Sequence, residues 1–348
     1  MKFGNSSLFP LIHDYLKIYL PKQQKVSPNT VRSYREALEL LVDYVKGGKQ
    51  IPLADVTFEM LTAEMILSFL DFLETDRGCS VSTRNNRLAA IRAFINYAAD
   101  RDITTVAVLN ELKKVPVKKT NEISVVEYMS MAAITAIVEQ TDASSPKGFR
   151  DRFFIMLMYD TGARIQEMVD IKLFDLQIDK LPKITLHGKG SKTRVVPLME
   201  KTVQHLQKYL SVFHNGTLMS SATPLFYSVT RGNVHPLSDR RIRYFLKTYA
   251  EKARVVCSEV PDNVHPHLFR HSRAMHLYQA GMDLTFVSQW LGHANLETTL
   301  MYAHADTEHK RIAIAAATPP DSPLYSKLNS ARYTVTDDDT LKRLTGLR

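Results

Sequence analysis

Apolar residues recur at three- and four-residue intervals through the first hundred residues of the chain. The longest such stripe follows Ser27 and Pro28 and consists of Val31, Tyr34, Leu38, Leu41, Val42 and Val45. This spacing predicts an amphipathic helix that Ser27 caps and that the pair Gly47-Gly48 ends. Similar patterns predict helices at residues 8–20, 63–75 and 82–99. Four helices of this size are typical of a compact bundle.

A larger region begins near residue 121 and is again mainly helical in pattern. An apolar run at 149–159 ends at Thr161-Gly162, and a new helix is predicted to begin near Ala163. Two β-prone runs, at 184–186 and 193–196, flank a glycine-containing loop and predict a hairpin. Further helices are predicted at residues 202–213, 238–256, 266–279, 284–291, 296–302 and 307–317. The predicted fold class is mainly α with a small β-hairpin or sheet.

Four lysines surround a proline between the two helical regions: Lys113, Lys114, Lys118 and Lys119. Proline interrupts a helix, and lysine resists burial in a core, so this stretch predicts an interdomain linker. The predicted organisation is an N-terminal helical domain at 1–108, a basic linker at 109–122, a larger domain at 123–318 and a polar C-terminal tail at 319–348.

The charge balance favours a polyanionic partner. The 348 residues include 45 Lys and Arg against 36 Asp and Glu, a net charge of +9, and nucleic acid is the commonest partner of such chains. A basic enzyme without such a partner is the alternative that charge alone leaves open. We expect a cytoplasmic protein with no membrane partner, because we find neither a signal-peptide pattern nor a run of transmembrane length.

Metal and nucleotide sites are not expected. Cys79 and Cys257 stand alone, so they encode no zinc ribbon. Zinc binding by neighbouring histidines is the alternative, but they lack a cysteine partner and a His-Glu-x-x-His pattern; these are His265, His267, His271 and His276. The segment 188–190 lacks the rest of a phosphate-binding loop pattern. We therefore predict no metal and no cofactor.

Three separated segments carry reactive side chains: Thr161-Gly-Ala-Arg164, His267-Leu-Phe-Arg270-His271, and Leu291-Gly-His293 followed by Tyr302. Breaking a phosphodiester requires a nucleophile, cations for the charge that builds on the phosphate oxygens, and an acid for the leaving oxygen. Guanidinium groups present paired donors that match two phosphate oxygens. A phenol ionises only at about pH 10, so a tyrosine nucleophile needs cationic neighbours or a base.

Taken together, TGARIQEMVDI, HGKGSKTRVVPL, HPHLFRH and LGHANLETTLMY resemble the motifs of the tyrosine recombinase family, the phage-integrase type of site-specific DNA recombinase. The resemblance covers residues 150–305 and extends more weakly to 8–100, which are similar to the family's SAM-like core-binding domain. It implies a four-helix DNA-binding bundle followed by a catalytic domain. That domain would cleave and rejoin DNA strands through a covalent 3′-phosphotyrosyl intermediate, in an Xer-like, transposon or phage enzyme.

The resemblance implies roles for the residues that would touch the phosphate. Tyr302 would be the nucleophile, and Arg164 and Arg270 would clamp the scissile phosphate. Glu167 would orient an active-site cation, with a plain helix-surface glutamate as the alternative. His271 follows Arg270 directly and is assigned a packing role.

Proton transfer is assigned to the remaining residues. Lys189 would be the general acid for the 5′-oxygen, because the family places its lysine in the same Gly-Lys-Gly position, and Lys192 and Arg194 are its rivals. His267 and His293 would donate hydrogen bonds to the phosphate or carry the tyrosine proton. Which histidine does which is left open.

Basic residues outside the three segments are candidates for contacts with DNA phosphates. They are Arg84, Arg87 and Arg92, in the predicted helix at 82–99, and the linker lysines Lys113, Lys114, Lys118 and Lys119. A solvated helix face and a solvated linker are the alternatives. The resemblance also implies a C-shaped clamp on double-stranded DNA and a homotetramer or heterotetramer at a synapse of two duplexes. Residues 307–317 would dock on a neighbouring protomer, and the enzyme would be nucleoid-associated.

Two other functions could use the same residues. A type IB topoisomerase would nick, permit rotation and reseal, and a non-catalytic protein would bind DNA on the same fold. The N-terminal bundle and the basic linker favour recombination over the topoisomerase, and the complete residue set argues against a loss of catalysis. We see no added arm-binding domain ahead of the bundle, which favours an Xer-like or transposon enzyme.

Overall fold

The computed structural model describes residues 7–119, 126–188, 192–293, 295–305, 311, 314–315 and 336–347. The chain divides into two units, Met1–Ile123 and Ser124–Arg348. Each unit has a hydrophobic core of its own. In the ranges given above, no helix is both long enough and apolar enough to span a bilayer.

Hydroxyl caps define where the main helices of the N-terminal unit begin. The side chains of Ser27, Thr62 and Ser80 accept hydrogen bonds from backbone N–H groups in the first turns of three helices. The helices are α1 Leu8–Asp14, which continues as the π-helical stretch Tyr15–Gln23, then α2 Pro28–Lys49, α3 Ala63–Thr75, α4 Val81–Ala99 and α5 Val106–Lys113. Short 3-10 turns lie at Leu53–Asp55, Phe58–Met60 and Ile103–Thr105.

The apolar stripe of α2 is buried, as the spacing predicts, but the helix ends later than expected. The pair Gly47-Gly48 stays helical, and Gln50 closes the helix in the left-handed conformation at φ 50°. The N–H groups of Gln50 and Ile51 bond the carbonyls of Gly47 and Lys46. These bonds satisfy carbonyls that a helix end leaves without partners, so the prediction that the glycines end α2 is wrong.

The segment predicted as a linker from residue 109 begins inside α5. Val108, Leu112 and Val115 recur at helical spacing and are buried in the core of the N-terminal unit. This apolar face holds the first part of the lysine-rich stretch against the bundle. The linker prediction rested on the four lysines and gave no weight to these three apolar positions.

The C-terminal unit surrounds two small antiparallel sheets with helices. The first sheet has the order β1-β2-β3 and contains the predicted hairpin, in which Leu186 pairs with Arg194. The strands are β1 Leu176–Gln177, β2 Lys183–His187, β3 Thr193–Pro197, β4 Tyr227–Thr230 and β5 Asn233–Pro236. The helices are α6 Met131–Glu139, α7 Pro146–Thr161, α8 Ile165–Asp170, α9 Glu200–Phe213, α10 Asp239–Val256, α11 Pro266–Gln279, α12 Leu284–Leu291, α13 Glu297–Ala305 and α14 Asp338–Thr345.

Two elements of this unit depart from the sequence prediction. The β4–β5 hairpin is an element that the sequence analysis did not predict. It turns at Arg231-Gly232, where both residues have positive φ, as two-residue hairpin turns require. The predicted polar tail contains α14, whose side chains are exposed. The predicted helix at 307–317 falls outside the described residues except for 311, 314 and 315.

Gly148, in the first turn of α7, lies against the backbone of Asp142. A Cβ at this position would lie 2.1 Å from the Asp142 carbonyl oxygen. We therefore expect Gly148→Ala to lower the free energy of unfolding of the C-terminal unit by about 1–3 kcal/mol, the usual cost of overpacking. Calorimetric unfolding measures it.

Gly47→Ala is the matched control, because a Cβ on Gly47 meets no atom within 4 Å. It should stabilise the N-terminal unit by about 0.5–1 kcal/mol through helix propensity. Equal effects from the two substitutions would show that the Asp142 backbone yields and that the close approach is unimportant.

Candidate active site

The Thr-Gly-Ala-Arg segment makes the turn between α7 and α8. Gly162 ends α7 in the left-handed conformation at φ 57°, which glycine adopts without strain. A Cβ on Gly162 would lie 2.9 Å from Cδ2 of Leu291, so the glycine also lets α7 approach the end of α12. The turn places Arg164 at the N-cap of α8, with its side chain 40% exposed.

Glu167, one turn into α8, holds two arginines. Its carboxylate accepts hydrogen bonds from the backbone N–H of Arg164 at 3.0 Å, from the Arg164 guanidinium at 2.7 Å and from the Arg194 guanidinium at 2.9 Å. Burial by itself would raise the pKa of Glu167, but the charge of Arg194 and these hydrogen bonds hold the pKa below its ordinary value. The side chain is 3% exposed, so it is not a plain helix-surface glutamate.

Three arginines meet at the C-terminal end of α12. The carbonyls of Trp290, Leu291 and Gly292 accept hydrogen bonds from Arg194, Arg270 and Arg164, respectively. The bond from Arg270 is 2.6 Å long and the bond from Arg164 is 3.5 Å long. Because the last carbonyls of a helix lack partners within it and carry its negative dipole end, cations are stabilised there. This contact brings the three sequence segments together.

α11 carries the second segment. His267 is exposed in its first turn, and Arg270 follows three residues later and is 3% exposed. Besides its bond to α12, Arg270 donates to the carbonyl of Gly162 at 2.7 Å, so these two bonds use two of its five N–H donors. Burial, and then the charges of Arg164 and Arg194, lower the pKa of Arg270 to about 9. The group is still a cation at neutral pH.

His293 follows Gly292 and faces the cleft beside Arg164. Its Nδ1 lies 2.8 Å from the hydroxyl oxygen of Thr299, which is fully buried in α13. Burial, and then the charge of Arg270, lower the pKa of His293 to about 4. The imidazole is therefore neutral at neutral pH, and with Nδ1 engaged, Nε2 is the nitrogen left for the cleft.

Tyr302 lies in α13 and is fully buried. Its ring packs in a small apolar cluster with Met275, Val287 and Leu291, among others. Its hydroxyl lies 2.9 Å from Nδ1 of His271. Burial raises the pKa of Tyr302 to about 12, against the opposing charge of Arg270. The packing role predicted for His271 therefore needs correction, since its ring nitrogen contacts the predicted nucleophile.

A cleft of about 500 Å³ opens above the arginines. Its walls are formed by Arg164, Glu167, Gly188, Lys192, Thr193, Arg194, Gly292 and His293. Lys189, the predicted general acid, lies outside the described residues, although Gly188 and Lys192 on either side of it line this cleft. Three cationic side chains and a neutral imidazole, against one carboxylate, fit the cleft to an anion of phosphate size.

Two residues of this site, Arg194 and Thr299, were missed or undervalued in the sequence. Arg194 shares the inward face of β3 with the buried Val196, and an arginine at an inward position of a strand was a usable signal. Thr299 lies three residues before Tyr302, on the same helical face. Arg194 was considered only as a rival acid, but its guanidinium is 11% exposed and bonded to Glu167.

The three arginines of α4 that are predicted to contact DNA make contacts within the N-terminal unit. Arg84 is 4% exposed, with its guanidinium 3.2 Å from Glu74 and 3.1 Å from the carbonyl of Pro116. Arg87 donates to a cysteine sulfur, and Arg92 donates to backbone carbonyls at the end of α5. Buried contacts of this kind fix Arg84 in the bundle, which corrects its prediction as a phosphate-facing residue.

The lysines after α5 are all exposed: Lys113, Lys114, Lys118 and Lys119. Lys118 pairs with Glu74 at 2.7 Å, and Lys114 pairs with Glu111. Exposed pairs of this kind are weak and exchange readily with other partners. The lysines stay candidates for salt-sensitive contacts with a polyanion.

The zinc alternative gains no support from the geometry. Across the described part of the chain, no three His, Cys, Asp or Glu side chains converge as metal ligands. Two of the four neighbouring histidines are engaged elsewhere, His271 with Tyr302 and His276 with the hydroxyl of Tyr159 at 2.8 Å.

Comparison with known proteins identifies both units. The model of the phage integrase family matches residues 127–309, and the model of the phage integrase SAM-like domain matches residues 7–114. A putative integrase/recombinase of Sinorhizobium fredii, y4rC, is 30% identical over 94% of this chain and 99% of its own length. Tyrosine recombinase XerC of Staphylococcus carnosus is 29% identical over 87% of this chain and 95% of its own.

Solved structures agree on the fold. The XerH site-specific recombinase bound to palindromic difH substrate superposes with a TM-score of 0.63 at 22% identity, over 82% of this chain and 79% of its own. The Tn1549 transposon integrase in complex with transposon right end DNA gives a TM-score of 0.63 at 19% identity, over 88% of this chain and 98% of its own. The chain belongs to the phage integrase family of tyrosine recombinases.

Proposed function

We propose that this site-specific recombinase cleaves and rejoins DNA through Tyr302. The observation that carries the proposal is the convergence of Arg164, Arg194 and Arg270 on the end of α12, beside the helix that bears the tyrosine. The Tyr302 oxygen attacks a backbone phosphorus, a tyrosyl–phosphate bond forms and the bond to the 5′-oxygen breaks. The 5′-hydroxyl of another strand then attacks the phosphotyrosine, and the tyrosine leaves.

The arginines supply the charge that this displacement needs. Negative charge builds on the non-bridging phosphate oxygens as the fifth ligand approaches, and preformed donors stabilise it without reorganising. Arg164 lines the cleft, and Arg270, which bonds the carbonyls of Gly162 and Leu291, has further N–H donors in its fork. We assign both to the scissile phosphate, and loss of one such donor costs about 10²–10³ in rate.

Two imidazoles and a lysine are assigned to hydrogen bonding and proton transfer at the phosphate. We assign Nε2 of His293 to donate to a phosphate oxygen in the cleft, with Nδ1 accepting from the Thr299 hydroxyl. His267, exposed in the first turn of α11, is assigned to the same phosphate. Lys189 is proposed to protonate the departing 5′-oxygen, which is supported by the position of Gly188 and Lys192 in the cleft wall.

Exposed basic surfaces support DNA as the partner. The lysines after α5 are exposed, and α10 presents Arg240, Arg241, Tyr244 and Lys247 to solvent, opposite its buried face. XerH and a λ integrase fragment were solved bound to their DNA sites, the λ fragment as a dimer. We propose double-stranded DNA as the substrate and keep the tetrameric synapse and the docking of residues 307–317 as predictions.

The family membership favours recombination over the type IB topoisomerase alternative, since the relatives are integrases and recombinases. An enzyme of this kind works where its DNA is, and we propose a cytoplasmic location. Association with the nucleoid stays a prediction.

Tyr302→Phe should bind DNA within about twofold of the wild type but form no covalent adduct, because it keeps the buried ring and loses the attacking oxygen. The measurement uses a nicked suicide duplex that carries the site recovered by in vitro selection with this protein, with the adduct seen as a slower band in a denaturing gel. Tyr209→Phe, another buried tyrosine, is the control and should form the adduct. An undiminished adduct in Tyr302→Phe would remove this residue from its role.

Arg194→Lys should lower the free energy of unfolding by about 1–3 kcal/mol, because one ammonium group cannot bridge Glu167 and the Trp290 carbonyl as a guanidinium does. It should also slow adduct formation by about 10- to 100-fold, since Glu167, which orients Arg164, is then held less firmly. Arg243→Lys is the matched control, in an exposed pair with Asp239, and should change stability by less than about 0.5 kcal/mol. Equal effects of the two substitutions would argue against a positioning role.

A further inference from the structure

Tyr302 cannot attack DNA from the position that it occupies in this structure. Attack requires the phenol oxygen to lie about 3–3.5 Å from phosphorus, in line with the leaving oxygen. The side chain has no exposed surface, and it lies in the apolar cluster with Met275, Val287 and Leu291. A phosphate enters from solvent through the cleft walled by Arg164 and His293. The buried phenol must therefore leave its cluster before the reaction.

Two imidazoles hold α13 in this position. Nδ1 of His271 lies 2.9 Å from the Tyr302 hydroxyl, and Nδ1 of His293 lies 2.8 Å from the Thr299 hydroxyl. Thr299 and Tyr302 are three residues apart, so both contacts lie on one face of the helix. Both hydroxyl-bearing residues are fully buried. The face of α13 that carries the nucleophile is thus pinned by side chains from α11 and from the segment after α12.

The contact between Tyr302 and His271 leaves the proton on the phenol. Burial, and then the charges of His267 and Arg270, lower the pKa of His271 to about 4, so its imidazole is a neutral acceptor. Burial raises the pKa of Tyr302 to about 12 in spite of Arg270. A protonated phenol is a weak nucleophile. Position and protonation therefore both keep the tyrosine inactive.

We infer that His271 is a positioning residue that latches Tyr302 in an inactive, buried position until α13 moves. The inference rests on the proposed function, in which Tyr302 is the nucleophile. No bond is made or broken in the latch: the hydroxyl proton stays on the tyrosine and is donated to Nδ1. Release of this bond frees the side chain to reach a phosphate in the cleft.

Two substitutions of the same histidine separate the latch from packing. The variant His271→Asn keeps an acceptor near the position of Nδ1, whereas His271→Gln places its acceptor near the position of Nε2. Both variants keep a polar side chain of moderate size on α11. One hydrogen bond of this kind corresponds to about a 3- to 10-fold change in the population of the released state.

The first measurement needs no DNA. The free protein is treated with tetranitromethane, which nitrates accessible tyrosines, and nitration is followed by mass spectrometry of the peptides. Tyr244, 69% exposed, serves as the reactive reference, and the fully buried Tyr209 serves as the protected one. We expect Tyr302 to be nitrated about 3- to 10-fold faster in His271→Gln than in the wild type, with His271→Asn close to the wild type. Equal protection of Tyr302 in all three proteins would overturn the latch.

The second measurement is single-turnover adduct formation on the selected suicide duplex. The latch predicts faster adduct formation in His271→Gln by the same factor, and a rate near the wild type in His271→Asn. A slower rate in His271→Gln, with Tyr302 still protected from nitration, would overturn the latch and place His271 in the chemistry. Failure of the proposed function is seen separately, as an adduct that persists in Tyr302→Phe. Nitration of Tyr302 reports on the latch in either case.

Discussion

The carbonyl groups at the C-terminal end of α12 are the point on which this site is built. Trp290, Leu291 and Gly292 each present an acceptor that the helix itself cannot satisfy, and a different arginine bonds each one. Glycine is needed at position 292 for two reasons. The backbone there takes φ 65°, and a Cβ would lie 2.6 Å from Cδ of Arg194. Arginines on β3, α8 and α11 are thereby gathered around three consecutive peptide groups.

The same contact leaves the site with an excess of positive charge. Glu167 is the carboxylate that compensates Arg164 and Arg194, and burial, together with repulsion from those two arginines, lowers the pKa of Arg270. Repulsion of this kind is a cost while the cleft holds only water, and an entering phosphate removes it. Stabilisation then grows with the charge on the phosphate, and that charge is largest in the transition state. The arginine cluster thus stabilises the transition state more than it stabilises the bound substrate.

Much of this arrangement could be predicted from local patterns, and the rest depended on contacts that are distant in the sequence. The hairpin and the bounds of α11 and α12 follow from periodicity and flanking residues. The internal role of Arg84 depends on Glu74 in α3 and on Pro116, which no helical pattern reveals. The role of His271 likewise depends on α13, which lies more than a helix away along the chain. Periodicity identified which side of a helix is buried, but not which buried polar atoms meet.

Two neighbouring residues of α11 contact different elements of the site: Arg270 contacts the end of α12, and His271 contacts the nucleophile. Successive residues of a helix point about 100° apart, so Arg270 faces the fixed end of α12 while His271 faces α13. α12 is anchored by three guanidinium groups, whereas the contacts that hold the nucleophile-bearing face of α13 include two single hydrogen bonds between a hydroxyl and an imidazole. Since neutral hydrogen bonds are weaker than charge-assisted ones, α13 is the element that yields first. Movement of the nucleophile can therefore occur while the phosphate-binding arginines stay in place.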